Sequence, residues 1–169
     1  MKKIVSITLV VAALLIVTIN ISYLVSGGPT TIVNHVKIKA NPEAVFEFAS
    51  DMRNEVKWNP HVVYMAKISD GPIDSGTRFR AKWDLSDTVD VVITRYDEPH
   101  FVTFKNGGPI EVTVEIKLTS VGSDTEMESK FTATPHGFMR AIFPIFLMNI
   151  KKQEKEVMQN IKKAIEEAR

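Results

Sequence analysis

Side chains that carry acid, base or metal chemistry are scattered along this chain of 169 residues. The four histidines have no metal-ligand spacing such as His-x-x-x-His, and no cysteine is present to supply a thiolate ligand or nucleophile. Neither a G-x-S-x-G elbow nor a phosphate-binding glycine loop occurs. Sequence motifs therefore predict no metal site, no cofactor and no catalytic residue. The histidines are His35, His61, His100 and His136.

Carboxylates recur at one place with a spacing that would align them along a helix. They are Glu43, Glu47, Asp51 and Glu55. We interpret this row as a solvated helix face. An enzyme acting on an apolar substrate needs an acid or base within reach of it. On the predicted apolar strand faces only Ser129 is polar, with His61 and Asp84 near the strand ends, so the support for catalysis is thin.

The elements that must position these side chains begin with one strand and two short helices. Residues 31–39 are rich in β-branched side chains and predict the first strand. Asn41-Pro42-Glu43 is typical of a helix start, with a capping Asn, Pro at the first helical position and an acidic residue in the first turn. A second short helical piece ends before Trp58.

From Val62 onward the apolar period changes to two, which predicts six further strands with one polar and one apolar face. The chain then ends in a long helix. Its predicted apolar face consists of Ile142, Phe146, Ile150, Val157, Ile161, Ile165 and Ala168. We therefore predict an α+β fold in which the long helix covers the apolar face of an antiparallel sheet.

This order and its local sequence resemble the START-like superfamily, also called SRPBCC, which includes polyketide cyclases/dehydrases and birch-pollen-allergen-like proteins. The matching segments are residues 38–46, Trp58-Asn59-Pro60, Gly76-Thr77-Arg78-Phe79, Asp97-Glu98-Pro99 and the terminal helix. The resemblance covers about Thr31 to Arg169. It implies a helix-grip fold, in which a curved antiparallel sheet of about seven strands wraps around the long C-terminal helix.

The resemblance also implies an internal apolar cavity that binds a hydrophobic small molecule or lipid. Candidate cavity walls are Trp58, Phe79, Ala81, Trp83, Val91, Val102, Phe104, Val114, Ile116, Phe131, Ile142 and Phe146. Two other functions remain open: a polyketide cyclase/dehydrase-like enzyme, and a protein-interaction domain. We expect a monomer, and the net charge of +1 gives no reason to expect nucleic acid as a partner.

Three segments have a structural and a functional interpretation. Trp58 either packs in the core or forms one edge of the cavity mouth, where Asn59 and His61 could contact a ligand. Residues 138–150 carry only one charge, so they either pack against the short helices or dip into a bilayer. In the second case Phe143, Leu147 and Met148 would be exposed. Another set, Arg78, Arg80 and Lys82, either faces water or attracts anionic lipid headgroups.

The N-terminal stretch from Ile4 to Val25 is uncharged and follows Lys2 and Lys3. As a helix it would reach about 33 Å, enough for a bilayer core of roughly 30 Å. We predict a signal anchor or transmembrane helix with a short tether at 1–27 and a START-like domain at 28–169. The two lysines favour a cytoplasmic N-terminus with the domain outside. The alternative is a secretory signal cleaved near Val25-Ser26-Gly27.

Overall fold

A computed structural model describes residues 2–25, 28–84 and 86–168; within the first helix it describes the side chains of residues 7–18, 20 and 21. In chain order the elements are helix α1 (Lys2–Val25), strand β1 (Thr30–Ile38), helix α2 (Pro42–Ser50), a 3-10 helix (Met52–Lys57), strands β2 (Val62–Lys67), β3 (Arg78–Trp83), β4 (Val89–Asp97), β5 (Phe101–Asn106), β6 (Ile110–Val121) and β7 (Asp124–Pro135), and helix α3 (Met139–Glu167). The predicted α+β order is confirmed.

The strands form one curled antiparallel sheet that resembles half of a barrel. Its seven strands are ordered β1-β7-β6-β5-β4-β3-β2. Strands that are neighbours in the sheet are also consecutive in the chain, with one exception. The exception is the pairing of the first strand, β1, with the last strand, β7. The long helix α3 lies on the concave side, where it contacts β1 and β7. The predicted helix-grip architecture is therefore confirmed.

The start of β1 and the start of α3 lie at one end of the sheet, called here the open end. Thr30 pairs with Ala133 there, and Val62 at the start of β2 pairs with Trp83 at the end of β3. The turn from β7 into α3 passes through Gly137, whose φ of 52° lies in the left-handed region that favours glycine. The connection between the 3-10 helix and β2 lies at the same end.

The opposite end, called here the closed end, is where β1 finishes and α3 finishes. The ammonium of Lys162 donates a hydrogen bond to the backbone oxygen of Lys37 at 2.8 Å. The backbone N–H of Lys39 donates to Oε1 of Glu166, also at 2.8 Å. These contacts fix the last turns of α3 against the end of β1. Here the helix buries Met158, Ile161 and Ile165 in the core.

The helix start predicted at Asn41 is confirmed. Oδ1 of Asn41 accepts a hydrogen bond from the backbone N–H of Ala44 at 2.9 Å, and Pro42 occupies the first turn. The next short helix is of the 3-10 type, and Asp51 caps it by accepting a hydrogen bond from the backbone N–H of Arg53 at 3.0 Å. Because this second helix is tightly wound and short, it places Glu55 beneath the edge of the sheet rather than on a continuous α-helical face.

Helix α1 precedes the sheet and contacts α3. Within the residues described above, no helix is long and apolar enough to cross a membrane, so the predicted transmembrane helix is not supported there. The predicted cleavage site includes residues 26 and 27, which lie outside the described residues. The division of the chain into 1–27 and 28–169 stays a prediction.

Candidate functional site

On strands β3 to β6, side chains on the concave face of the sheet become less buried toward the open end, whereas Ile32 of β1 and Ala133 of β7 are buried there. On β3, Phe79 is buried and Trp83 is half-buried; on β6, Leu118 is buried and Val114 is half-buried. On β4, Ile93 is buried and Val89 is half-buried. On β5, Phe104 is buried and Asn106 is half-buried. The half-buried side chains of Trp83, Val89 and Val114 therefore mark the open end as the candidate mouth of the space between the sheet and α3, although Tyr96 is also half-buried at the closed end.

The predicted wall residues divide along the same direction. The fully buried ones belong to the core: Phe79, Ala81, Val91, Val102, Phe104 and Ile116. The half-buried ones lie toward the open end: Trp58, Trp83, Val114, Phe131 and Ile142. Phe146 is 44% exposed and lies on the flank of α3. Whether these residues contact a ligand stays a prediction.

A buried carboxyl group, that of Glu55, lies at the open end beneath Trp83. Glu55 is only 8% exposed. Its Oε1 atom accepts hydrogen bonds from the indole N–H of Trp83 at 3.0 Å and from Nδ2 of Asn59 at 2.6 Å. Burial raises the pKa of Glu55 because it penalises the charged form, and the two hydrogen bonds oppose that change. The net direction is upward, so protonation of this carboxyl is easier than in water.

A second acidic side chain, Glu154 of α3, faces Glu55. Burial raises the pKa of Glu154 from 4.5 to about 7, and the nearby charge of Glu55 adds to the increase. No hydrogen-bond donor or cation among the described residues contacts its carboxyl group. The open end therefore contains two carboxyl groups that resist simultaneous ionisation and that could accept hydrogen bonds from a bound molecule.

Two buried N–H donors in the described part of the chain lack an acceptor. They are the indole Nε1 of Trp58 and Nδ2 of Asn34. Trp58 follows the 3-10 helix and packs against the core, while Asn34 lies on β1 between the inward-facing Ile32 and Val36. A buried polar atom without a partner is uncommon in folded proteins and costs about 1–3 kcal/mol.

Next to Glu55, His61 and Asp84 form a polar pair at the rim of the open end. Nδ1 of His61 lies 2.8 Å from Oδ2 of Asp84, and the backbone N–H of Asp84 donates to the oxygen of His61 at 2.9 Å. Oδ1 of Asn59 accepts from the backbone N–H of His61 at 3.1 Å. Asn59 thus links the rim pair to Glu55, and the ligand contact predicted for Asn59 and His61 stays a prediction.

Sequence reasoning missed both carboxyl groups of this site. The sequence predicts that Glu55 lies on a solvated helix face with Glu43, Glu47 and Asp51. That interpretation is wrong for Glu55 because α2 ends at Ser50 and Glu55 belongs to the 3-10 helix that follows. Glu154 lies in the second half of α3, where most of the charged residues of that helix occur. One signal was present: Glu154 follows Ile150 by four residues and precedes Met158 by four, which places a carboxyl within an apolar helical stripe.

Phe143, Leu147 and Met148 are expected to be exposed unless another element covers them, and the structure covers the first. Phe143 is buried, Leu147 is half-buried, and Met148 is exposed as predicted. A row of residues spaced by four drifts by about 40° per step around a helix of 3.6 residues per turn. The row that starts at Ile142 therefore leaves the face that contains Ile161, and Phe143 takes the inward position instead.

A separate depression of about 840 Å³ lies on the outside of the closed end. Its lining includes Asn41, Arg95, His100 and Lys117, and none of the predicted wall residues. Among the described residues, no group of three or more histidine or acidic side chains is placed to hold a metal ion. The chemical features that could recognise an apolar molecule therefore gather at the open end.

The candidate site lies in a region that matches the sequence model of a known protein family. The profile of a family described as polyketide cyclase/dehydrase and lipid transport matches residues 29–166. No functionally curated protein has a matching sequence. The matched region includes both ends of the grip and all seven strands.

Several solved structures have the same fold. The KanY protein is 22% identical with a TM-score of 0.67, covering 82% of this chain and 99% of that chain. A START superfamily protein from Mycobacterium smegmatis is 15% identical with a TM-score of 0.61, covering 84% and 97%. The di-domain ARO/CYC StfQ from the steffimycin biosynthetic pathway is 12% identical with a TM-score of 0.65, covering 83% of this chain and 52% of that chain. At such identities the likeness shows the fold alone.

Proposed function

The chain belongs to the polyketide cyclase/dehydrase and lipid transport family, and on that premise we propose that it binds a lipid or other hydrophobic small molecule at the open end of its grip. The observation that carries the proposal is the loss of burial along the concave face, from Phe79 and Leu118 to Trp83 and Val114. Apolar surface removed from water contributes about 25 cal/mol for each Å². A ligand covering these half-buried side chains would gain that contribution.

The polar groups at the open end favour a ligand with a hydrogen-bond donor. The carboxyl groups of Glu55 and Glu154 accept hydrogen bonds when ionised, and Glu154 has no donor among the described residues. A carboxylate or phosphate headgroup would be repelled here, because like charges in a partly buried site raise each other's energy. A hydroxyl or amino group on an apolar body would instead complete the hydrogen bonding of Glu154.

Extraction of the purified full-length chain tests this proposal. The protein is isolated in mild detergent, extracted with organic solvent, and the extract is analysed by mass spectrometry. The wild-type chain is expected to release an apolar molecule bearing a hydroxyl or amino group. Val114→Phe fills the open end and is expected to lose that molecule, whereas the matched Val33→Phe, on the exposed outer side of β1, is expected to retain it.

Two results would count against a binding function. One is an extract of the wild-type chain that contains only bulk membrane lipid in the proportions of the host membrane. The other is equal retention of the molecule by Val114→Phe and Val33→Phe, with both variants folded by circular dichroism. Either result would mean that the open end does not bind a specific ligand.

A second candidate function, a cyclase/dehydrase-like enzyme, is supported by the same pair of carboxyl groups. General acid–base catalysis is most effective when the pKa of the catalytic group lies near the working pH. The pKa of Glu154 is raised to about 7 by burial and by Glu55. In such an enzyme Glu154 would remove a proton from the substrate, and the protonated form would return it to a departing hydroxyl group.

The extracted ligand distinguishes the enzyme from the carrier. If Glu154 catalyses dehydration, the molecule that co-purifies with Glu154→Gln should be heavier by one water than the molecule from the wild-type chain. A carrier should release the same molecule from both proteins. Identical extracts would therefore exclude Glu154 as a dehydration catalyst while leaving ligand binding intact.

We also propose that residues 4–25 hold the domain at a membrane, with Lys2 and Lys3 on the cytoplasmic side and the domain outside. The support comes from the sequence and from the exposed apolar side chains of α1, which include Ile7, Leu14 and Ile21. Carbonate extraction of membranes, protease protection and the intact mass of the mature chain test this placement. A soluble chain that lacks the first residues would favour secretion after signal cleavage.

A further inference from the structure

The outer side of the first half of α3 presents large apolar side chains to solvent. Phe138 is 64% exposed, Ile145 73% and Met148 81%. At about 100° per residue, these three side chains fall on one side of the helix, opposite the face that buries Phe143. Isolated exposed apolar residues are ordinary on protein surfaces, but three on one helical side form a contiguous patch that indicates an interaction surface.

Basic side chains border this patch at the next helical turn. Lys151 and Lys152 are exposed, and Lys152 lies on the same side of α3 as Ile145. No acidic residue occurs between residues 138 and 153. An apolar helix side followed by lysines matches the chemistry of a bilayer interface, where apolar groups enter the acyl region and cations meet anionic headgroups.

The position of the patch agrees with this occupant. Helix α3 begins at the open end, next to the start of β1, and it contacts the apolar helix α1. Helix α1 also exposes apolar side chains, such as Leu14 and Leu15. A bilayer would cover the apolar side chains of both helices at once, which favours a bilayer over a protein partner as the occupant.

We propose that the outer side of α3 from Phe138 to Lys152 seats the domain on a bilayer containing anionic lipid, so that the open end of the grip faces the membrane. In that orientation the mouth beside Trp58 and Trp83 meets the membrane, from which an apolar ligand could enter without crossing water. The entry of a ligand from the membrane rests on the proposed binding function. The contact between α3 and the bilayer does not, and it can be tested separately.

The basic strand face considered earlier is a weaker membrane surface. Nη2 of Arg78 and Nε of Arg80 lie 2.8 Å and 2.9 Å from the carboxylate oxygens of Asp90. This shared carboxylate offsets part of their positive charge. Lys151 and Lys152 form no ion pair within 4.0 Å among the described residues, and the carboxylate next along their side of α3 is the exposed Glu156, four residues after Lys152.

Because the chain has no cysteine, a single introduced thiol can be labelled with an environment-sensitive fluorophore. We suggest Met148→Cys in the full-length chain, labelled with nitrobenzoxadiazole and reconstituted into phosphatidylcholine vesicles with and without phosphatidylglycerol. The matched control is Lys163→Cys, whose side chain is 72% exposed on the same helix near the closed end. The probe at 148 is expected to shift to shorter wavelength and to be quenched by nitroxide-labelled lipid, and the probe at 163 to remain in water.

Charge is tested in the same background. Neutralising Lys151 and Lys152 with Gln should reduce the preference of the 148 probe for anionic vesicles by roughly fivefold for each lysine. Lys163→Gln should leave that preference unchanged. The proposal is overturned if the probes at 148 and 163 respond alike to lipid. A blue shift at 148 that grows with protein concentration without vesicles would also overturn it, since a second copy of the chain would then cover this face. Loss of ligand binding alone affects neither probe.

Discussion

The two ends of the space between the sheet and α3 are built from different kinds of side chain. At the closed end, α3 contributes Met158, Ile161 and Ile165, which pack without exposure against the core. At the open end the same face of α3 carries Glu154, and the sheet contributes half-buried side chains such as Trp83. Helix α3 therefore packs in the core over its last turns and contributes Glu154 to the candidate site before them, while Phe143 near its start is again buried.

This difference indicates where stability and function are located. Core apolar packing is the largest favourable contribution to folding, whereas a buried carboxyl group opposes folding at neutral pH. The closed end can hold the sheet and helix together while the open end carries groups that cost stability. Proteins commonly concentrate such costs at functional sites.

Removing a core side chain at the closed end should destabilise the chain most. Ile161 is 1% exposed, so Ile161→Ala should lower the free energy of unfolding by about 2–5 kcal/mol, through lost burial and the cavity left behind. The matched change at the other end of the helix, Ile145→Ala, should alter it by less than about 0.5 kcal/mol. Urea unfolding measures both. Similar losses in the two variants would contradict the division between the ends.

Replacing the half-buried carboxyl of Glu154 should stabilise the chain above neutral pH. Its pKa is about 7 in the folded chain and ordinarily 4.5, so the protonated form favours folding. That contribution is complete below pH 4.5 and is lost as the pH rises through about 7. At pH 8 Glu154→Gln should therefore be more stable than the wild-type chain by about 3 kcal/mol.

The control for this change is Glu156→Gln, an exposed neighbour on the same helix. It should alter stability little between pH 4.5 and 8. Urea unfolding across that pH range provides the measurement. If Glu154→Gln and Glu156→Gln have the same pH dependence as the wild-type chain, Glu154 is not a buried titrating group at the open end.

The two tryptophans of the open end should respond differently to the same substitution. Trp83→Phe removes the N–H that donates to Oε1 of Glu55, so it should cost about 1–2 kcal/mol and raise the pKa of Glu55 further. Trp58→Phe removes an N–H that has no acceptor among the described residues, so it should cost less. Thermal unfolding at pH 7 distinguishes them. A larger loss for Trp58→Phe would mean that the hydrogen bond to Glu55 is unimportant.

Local sequence patterns were sufficient for most of the fold. The Asn41 cap, the period-two strands and the predicted apolar face of α3 all act over a few residues, and the structure has the cap, the strands and the Ile161 and Ile165 part of that face. Phe146 and Ala168, at other positions of the predicted face, are exposed. Their order restricts the ways in which one helix can cover one curled sheet. For that reason the architecture followed from the sequence together with the family resemblance.

The candidate site was less predictable because it depends on pairs that are distant in sequence. Glu55 is buried by Trp83, which lies 28 residues away, and Glu154 is placed opposite it by α3. Neither contact leaves a local spacing signal. The inward position of Phe143 depends on how α3 is rotated about its axis relative to the sheet. The predicted apolar face that begins at Ile142 has a different rotation. Trp58 was identified from the family resemblance, and its unpartnered N–H emerged only from the three-dimensional arrangement.

Quenching of intrinsic fluorescence tests ligand binding at the open end most directly, because the only two tryptophans of the chain, Trp58 and Trp83, both lie there. The full-length chain in phosphatidylcholine nanodiscs is titrated with dibromostearyl alcohol, and with stearyl alcohol as the unbrominated control. We predict saturable quenching by the brominated alcohol alone, reduced in Val114→Phe and retained in Val33→Phe. Quenching that does not saturate, or that is equal in the two variants, would contradict an apolar ligand site at the open end.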